Sequence, residues 1–177
     1  MLKRENFSEE HIRNLQNISG RDPALLERTI YAFGLLEAIA QSQMQFIFKG
    51  GSCLMLLMEH PQRLSTDIDI IVQPSTDLND YIHKASEIFP FKQVEEQKRV
   101  GNNAIEKQHF KFTYDSPINN RPLYILLNVL FEENHYDELV NAIGAAVKKN
   151  IITNVIMSVN MGMVLLFILH AHLLGYG

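Results

Sequence analysis

Residues Phe48–Val72, "FKGGSCLMLLMEHPQRLSTDIDIIV", contain the most informative pattern in the sequence. It begins with the turn-like run Gly50–Ser52, which is followed by a block of apolar residues. Fifteen residues after the serine, Asp67 and Asp69 interrupt a segment that is otherwise typical of a buried strand. The spacing places two carboxylates within one short strand, downstream of a glycine-rich turn.

Side chains alternate between the two faces of a strand, so Asp67 and Asp69 point to one side while Ile68 and Ile70 point to the other. Two carboxylates held a few ångströms apart repel each other, and burying them without a partner is costly. A divalent cation with oxygen ligands holds both in the ionised form, and Mg²⁺ prefers this arrangement together with substrate phosphates. The pair therefore predicts a Mg²⁺ site.

The glycine run predicts a phosphate-binding turn between a strand and a helix. Backbone N–H groups at a helix N-terminus face an anion, and glycine permits its close approach. The Ser52 hydroxyl adds a hydrogen bond, and Lys49, just before the turn, screens phosphate charge. A DxD pair alone usually marks a solvent-facing strand edge, and a GGS run alone usually marks a turn. Their combination in this order favours metal-assisted phosphoryl or nucleotidyl transfer.

Composition limits the function classes. The chain has 177 residues, enough for one domain with a hydrophobic core, and 46% apolar with 20% charged residues is typical of globular proteins. A net charge of −4 argues against wholesale coating of nucleic acid but leaves a local basic patch open. The single cysteine, Cys53, excludes an internal disulfide and predicts a reducing cytoplasm; we interpret it as a packing residue.

The C-terminal tail, residues 150–177, contains no Asp, Glu, Lys or Arg. Its densest apolar part, Met163–Leu174, is only 12 residues long, whereas a membrane span needs about 20. We therefore expect a packed helix or strand and no membrane association. The abrupt apolar end predicts a truncated or divergent C-terminus.

Periodicity and turn signals predict ten regular elements and no internal repeat. Helices are expected at 8–19, 23–41, 52–59, 76–89 and 137–149, and strands at 44–48, 67–72, 91–99, 107–114 and 123–131. We expect Ser8 and Asp22 to cap the first two helices, Thr76 or Asp77 to cap the fourth, and Pro117–Asn120 to form the turn between the last two strands. The pattern predicts a single mixed α/β or α+β domain over 1–177. It consists of N-terminal helices 8–41, a catalytic-type core 44–136 and the tail 150–177.

Within the opening stretch, "GGSCL" and "RLSTDIDI" resemble the AbiEii-type nucleotidyltransferases, the toxins of type IV toxin–antitoxin systems. These proteins belong to the polymerase-β-like nucleotidyltransferase superfamily. Their pattern is a Gly-Gly-Thr/Ser motif, a short helix, and then Arg-x-Ser-x-Asp-(Ile/Leu)-Asp. The match is close over residues 48–72 and looser to about residue 136.

The resemblance implies a nucleotidyltransferase-like small mixed sheet flanked by helices. It implies that Asp67 and Asp69 are catalytic, ligate Mg²⁺ and activate the acceptor hydroxyl. The residues implied to bind the nucleotide are Lys49, Gly50, Gly51, Ser52, Arg63 and Ser65. A nucleoside triphosphate is the implied donor, both an RNA acceptor such as a tRNA end and a protein acceptor stay open, and a cognate antitoxin is an implied partner.

The chain departs from the family pattern at two places. The superfamily usually carries a third carboxylate on a neighbouring strand, where this chain has Asn128; an amide oxygen still ligates Mg²⁺ but cannot act as a base. Asn128 is therefore a candidate metal ligand or an ordinary strand asparagine, and Glu132 is a weaker substitute. The family's C-terminal lysine, which helps to hold the triphosphate, is absent because no Lys or Arg follows Lys149. His109 reads as an ordinary surface or interface residue.

These departures leave three hypotheses open. The first is a Mg²⁺-dependent, toxin-like nucleotidyltransferase that transfers a nucleoside monophosphate from a triphosphate to RNA or protein. The second is a catalytically impaired relative that binds nucleotide or another protein without turnover. The third is an antitoxin-like structural partner without a nucleotide site.

Overall fold

The structure is a computed structural model, and it describes residues 2–58, 61, 63–97 and 106–133. Within these residues, a short 3-10 turn, Arg4–Phe7, precedes four helices and five strands. The helices are α1 (Glu9–Ser19), α2 (Pro23–Gln41), α3 (Gly50–Leu57) and α4 (Asn79–Ser86). The strands are β1 (Ile47–Lys49), β2 (Asp67–Val72), β3 (Gln93–Glu96), β4 (Lys107–Ser116) and β5 (Arg121–Phe131).

Helices α1 and α2 begin where their capping residues predict. The Ser8 side chain accepts a hydrogen bond from the His11 N–H, and the Asp22 side chain accepts one from the Leu25 N–H at 2.8 Å. Each cap satisfies a helix N–H that has no partner within the helix. The predictions for both helices are confirmed.

Helix α3 begins at Gly50, two residues earlier than the sequence predicts. The two glycines are therefore the first residues of the helix rather than a separate turn. Gly50 has a φ of 78°, so the chain turns out of β1 at this residue and enters the helix without an intervening loop. The phosphate-binding hypothesis consequently applies to the N-terminus of an eight-residue helix.

Helix α4 is shorter than the predicted 76–89, and neither predicted residue is its N-cap, which is Leu78. The Thr76 hydroxyl donates to the Gln73 carbonyl at 2.6 Å, which closes a turn before the helix. Asp77 instead accepts from the Asn79 N–H at 3.0 Å. The predicted start of this helix is therefore wrong, because residues 76–78 precede the helix.

Strands β1 and β3 are also shorter than predicted, because a strand extends only as far as its partner pairs with it. β1 pairs with β2 from Ile47 to Lys49, and β3 pairs with β4 from Gln93 to Glu96. By contrast, β2 has the predicted bounds, and β4 and β5 are joined by the predicted turn at Pro117–Asn120.

The five strands form one mixed sheet with the order β1-β2-β5-β4-β3. β2 and β5 are parallel, and the other three neighbouring pairs are antiparallel. The predicted mixed sheet with flanking helices is confirmed. Strand β2 lies between β1 and β5, so its side chains are adjacent to residues from the glycine turn and from β5.

One face of the sheet forms the hydrophobic core with α2. Its fully buried side chains include Ile68 and Ile70 from β2 and Ile125 and Leu127 from β5. The opposite face carries the alternate residues of the same strands, and these are half-buried or exposed. Alternation thus separates a fully buried apolar layer from a more accessible face, which carries polar side chains together with half-buried apolar ones such as Leu126 and Leu130.

Glu27 of α2 is fully buried and joins this helix to the β4–β5 hairpin. Its carboxylate accepts hydrogen bonds from the Tyr114 hydroxyl at 3.0 Å, the Ser116 hydroxyl at 2.8 Å and the Ile118 N–H at 3.2 Å. Three donors compensate for the loss of water around the carboxylate. Burial, followed by the charge of Glu27, raises the pKa of Tyr114 above its ordinary value.

The predicted helix 137–149 and the tail 150–177 lie outside the described residues. Among the helices that the structure does describe, none combines the length and apolar character needed to cross a bilayer.

Candidate active site

The open face of the sheet carries a polar row that crosses four strands. Asp69 of β2 is in register with Lys49 of β1 on one side and with Asn128 of β5 on the other. Asn128 is in turn in register with His109 of β4. Paired residues of neighbouring strands share a face, so the four side chains lie on the same side of the sheet.

Asp69 is held from two directions. The Asn128 side-chain nitrogen Nδ2 donates to Asp69 Oδ1 at 2.9 Å. The second oxygen, Oδ2, lies against the backbone of Gly50, where a Cβ atom would be only 2.2 Å from it. Any larger residue at position 50 would therefore collide with the carboxylate, which explains why a glycine is needed there in addition to its positive φ.

Asp67 is positioned by the loop that precedes β2 and by α3. The Ser65 hydroxyl donates to Asp67 Oδ1 at 3.2 Å. Gly51 packs close to Ser65, because a Cβ on Gly51 would lie 3.0 Å from the Ser65 hydroxyl oxygen. The Ser-x-Asp spacing thus places a hydroxyl donor on the carboxylate, and the second glycine allows the helix to approach that loop.

Ser52 is fully buried, and its hydroxyl donates to the backbone carbonyl of Asp67. This hydrogen bond joins α3 to the start of β2. The hydroxyl therefore has a structural partner, and the predicted contact of Ser52 with phosphate stays a prediction.

Of the two predicted cations, Lys49 lies next to Asp69 in the sheet, and Arg63 precedes Asp67 by four residues in the chain. Lys49 is half-buried, and Arg63 is exposed in the loop before β2. Within residues 2–58, 61, 63–97 and 106–133, neither Asp67 nor Asp69 forms an ion pair. The two carboxylates are thus uncompensated by protein cations in this part of the chain.

This donor set suits a hard divalent cation. Asp67 and Asp69 are half-buried, their Cα atoms are about 7 Å apart along the strand, and carboxylate oxygens are the ligands that Mg²⁺ prefers. A Mg²⁺ site also takes oxygens from substrate phosphates, which leaves coordination positions for a nucleotide. The described residues include no cluster of three or more His, Cys, Asp or Glu that would form a complete protein cage.

The structure places the other sequence candidates as follows. Asn128 lies beside Asp69, as the alignment with the third carboxylate predicts, but its amide nitrogen rather than its oxygen faces that aspartate. Glu132 is exposed and lies after the end of β5. Cys53 is half-buried, and burial raises the pKa of its thiol, which favours the packing interpretation over nucleophilic catalysis.

His109 is the residue that sequence reasoning missed. Its ring nitrogen Nδ1 lies 2.7 Å from Asn128 Oδ1, so it belongs to the polar row and is not an isolated surface residue. The predicted turn at Pro117–Asn120 contains the signal that locates it. Counting outwards by equal numbers of residues from the centre of that turn places His109 opposite Asn128, provided that the hairpin has no bulge.

Comparison with known proteins identifies one family. No curated protein and no solved structure matches the chain. Residues 34–150, about two thirds of the chain, match the model of a family described as "Nucleotidyl transferase AbiEii toxin, Type IV TA system". The match includes α3, the Gly-Gly-Ser run, both aspartates and the strand that carries Asn128. The chain therefore belongs to the AbiEii nucleotidyl transferase toxin family of type IV toxin–antitoxin systems.

Proposed function

We propose that the protein is a Mg²⁺-dependent nucleotidyltransferase that transfers a nucleoside monophosphate from a nucleoside triphosphate to an acceptor hydroxyl. The observation that carries this proposal is the pair Asp67 and Asp69 on the open face of β2, against the glycine-rich start of α3. Family membership supports a nucleotide substrate and a cognate antitoxin in general terms.

In this proposal Asp67 and Asp69 would hold Mg²⁺, and a cation bound there would supply charge neutralisation for the phosphates and acidify the attacking hydroxyl. Ser65 keeps the Asp67 carboxylate in place, and Asn128 does the same for Asp69. The carboxylates would also orient the acceptor for in-line attack on the α-phosphorus, in which the hydroxyl gives its proton to one of them, its oxygen bonds to phosphorus and pyrophosphate leaves.

The triphosphate would bind at the start of α3. Backbone N–H groups of the first helical turn, including those of Gly50 and Gly51, have no acceptor within the helix and favour an anion. Lys49 and Arg63 are the proposed side-chain contacts, and they carry the charge that complements phosphate oxygens. The hydroxyls of Ser52 and Ser65 would join them only by exchanging their hydrogen bonds to Asp67 for hydrogen bonds to phosphate.

The acceptor is proposed to be an RNA end such as that of a tRNA or a protein hydroxyl, and the reaction is placed in the cytoplasm. An RNA acceptor would have to bind a chain whose net charge is −4, so it requires a local cluster of cations. A protein acceptor has no such requirement. The acceptor classes are therefore to be compared directly in one assay.

The test is transfer of label from each of four α-labelled nucleoside triphosphates. The purified protein is incubated with Mg²⁺ and total small RNA, and label is followed on RNA and on protein. Asp67→Asn and Asp69→Asn remove charge with little change of shape and should reduce transfer by at least about 100-fold, since metal-assisted charge stabilisation provides several kcal/mol. Asp80→Asn, an exposed carboxylate on α4, is the matched control and should be as active as the wild type.

A second candidate, nucleotide binding without turnover, is favoured by one observation. The position of the third carboxylate is occupied by Asn128, which cannot accept a proton as a general base. Binding of Mg²⁺ and a triphosphate that depends on Asp67, together with no transfer of label to RNA or protein, would support this alternative. Equal inactivity of wild type and both variants, without binding, would contradict both candidates.

A further inference from the structure

A side-chain hydrogen-bond chain crosses three strands of the open face. His109 Nδ1 lies 2.7 Å from Asn128 Oδ1, and Asn128 Nδ2 donates to Asp69 Oδ1 at 2.9 Å. The three residues come from β4, β5 and β2, and each pair is in direct register. These hydrogen bonds are therefore positioned by the pairing of three strands and not by a loop.

The two ends of the Asn128 amide are chemically different, and each contact selects one end. An amide oxygen only accepts, so the contact with His109 places a hydrogen on Nδ1. The amide nitrogen only donates, which suits the negatively charged oxygen of Asp69. Turning the amide over would set a donor against the His109 Nδ1–H and an oxygen against the Asp69 carboxylate, and both contacts would become repulsive.

The backbone of His109 is also fixed. Its strand is paired to β5 through its whole length, and its carbonyl accepts a hydrogen bond from the Gln97 N–H at 2.7 Å. The imidazole is half-buried, so water competes only partly with the amide for Nδ1. A ring held in this way presents its donor in a constant position.

We propose that His109 is a positioning residue that acts through Asn128: it orients the amide, and the amide in turn fixes Asp69 for metal binding. Asn128 is then a hydrogen-bond donor to a metal ligand and not itself a ligand. The cation is held by two protein carboxylates plus the oxygens of the nucleotide. This inference rests on the proposed function and specifies how its metal site is built with an amide at the third acidic position.

The inference is tested by Mn²⁺ binding to the full chain without nucleotide, measured by electron paramagnetic resonance. His109→Asn places a side-chain N–H close to where Nδ1 lies, whereas His109→Leu has similar branching and no donor. Mutation of a residue that hydrogen-bonds a metal ligand typically lowers the affinity for the metal by about 10–100-fold. We expect such a loss in His109→Leu and an affinity within about twofold of wild type in His109→Asn.

A second readout does not depend on metal. In a ¹⁵N-labelled protein the Asn128 side-chain NH₂ should give protected, separated resonances, because one hydrogen is bonded to Asp69. The resonances are assigned by their loss in Asn128→Asp. They should persist in His109→Asn and collapse towards free-amide positions in His109→Leu. Melting temperatures of the His109 variants serve to establish that each is folded.

The outcomes separate the positioning role from the proposed function. If Asp67→Asn loses Mn²⁺ but folded His109→Leu binds it as wild type does, the metal site stands and the positioning role is overturned. If His109→Asn loses Mn²⁺ as strongly as His109→Leu, the imidazole itself is the required group, which also overturns it. If Asp67→Asn and wild type bind Mn²⁺ equally and neither transfers label, the metal function of the carboxylates has failed, and the ligand arrangement inferred here fails with it.

Discussion

Among single residues, Gly50 determines whether the start of α3 and the Asp69 side chain fit together. It combines a φ of 78° with a backbone that touches the Asp69 carboxylate. Gly20, at the end of α1, has a similar φ of 67°, but nothing lies within 4 Å of a Cβ built there. Substitutions at both glycines strain the backbone, but only a substitution at Gly50 also causes a steric collision. Comparing the two positions therefore distinguishes these effects.

We expect Gly50→Ala to abolish metal binding and to destabilise the protein more than Gly20→Ala does. An alanine at a left-handed position costs about 1–2 kcal/mol, and both variants carry this cost. Only Gly50→Ala also displaces Asp69. Urea unfolding and Mn²⁺ titration measure the two effects, and a Gly50→Ala protein that binds metal normally would refute the described contact.

We expect Asn128→Asp to lower the stability of the metal-free protein and to raise its affinity for Mg²⁺. The substituted carboxylate would face Asp69 across a contact that now measures 2.9 Å, and like charges at this distance repel. A cation removes the repulsion by binding both groups. Melting temperatures in EDTA and in Mg²⁺ should diverge more than for wild type; equal divergence would mean that the two side chains are not neighbours.

The residue scale also shows the limits of the sequence. The common face of Asp67 and Asp69 follows from strand alternation alone and is confirmed. The orientation of the Asn128 amide depends on His109, which is 19 residues away and becomes a neighbour only through the hairpin. Counting from the predicted turn places His109 opposite Asn128, but the amide orientation itself is set only by the side-chain contacts of the folded sheet.

At the scale of the element, Glu27 shows how α2 is attached to the hairpin on the face opposite the candidate site. Its carboxylate binds three donors from β4 and the following turn. Amphipathic periodicity predicts α2 but would place an acidic residue on its exposed side. The buried position of Glu27 is explained only by the donors that the hairpin provides.

We expect Glu27→Gln to lower the free energy of unfolding by about 1–3 kcal/mol, because hydrogen bonds to a charged acceptor are stronger than those to a neutral amide. The amide oxygen can keep the Ser116 and Ile118 donors, which share one carboxylate oxygen, whereas the Tyr114 hydroxyl must reverse its role and accept from the NH₂. Exposed Glu10→Gln on α1 is the matched control and should change stability by about 0.5 kcal/mol or less. Chemical denaturation measures both; equal stabilities would contradict the three-donor contact. Mn²⁺ affinity should not change in either variant.

Element boundaries deviated from the sequence predictions where tertiary pairing or a local turn determined them. β1 and β3 end where their pairing with β2 and β4 ends, although both partner strands continue further, and α4 begins after a turn closed by Thr76. The N-caps Ser8 and Asp22 were predicted correctly, because each accepts a hydrogen bond from a residue only three positions further along the chain.

At the scale of the whole molecule, the order β1-β2-β5-β4-β3 brings the site together. The parallel pairing of β2 with β5 joins residues 59 positions apart in the chain, such as Asp69 and Asn128. Sequence patterns predict a mixed sheet but not this neighbour relation, because pairing between distant strands depends on the packing of all the layers together. The shared face of Asp67 and Asp69 and the candidacy of Asn128 came from the sequence, His109 was missed, and the roles of all four residues in nucleotide transfer stay predictions.

We expect Mg²⁺ with a nucleoside triphosphate to raise the melting temperature of the whole chain. A ligand at 100 times its dissociation constant stabilises by about 2.7 kcal/mol, or roughly 5–10 °C for a chain of this size. EDTA or Asp69→Asn should remove the shift, and exposed Asp80→Asn should retain it. A shift that survives Asp69→Asn would place the nucleotide elsewhere.

The alternation of β2 has a consequence for folding as well as for chemistry. A slip of one residue between β2 and its neighbours would exchange the two faces of the strand. Asp67 and Asp69 would then be pressed against the apolar layer under α2, and Ile68 and Ile70 would face water. Burying two unpaired carboxylates is costly enough to exclude that pairing. The acidic residues proposed for nucleotide transfer thus also help to specify the register of β2 during folding, because they make the shifted register unfavourable.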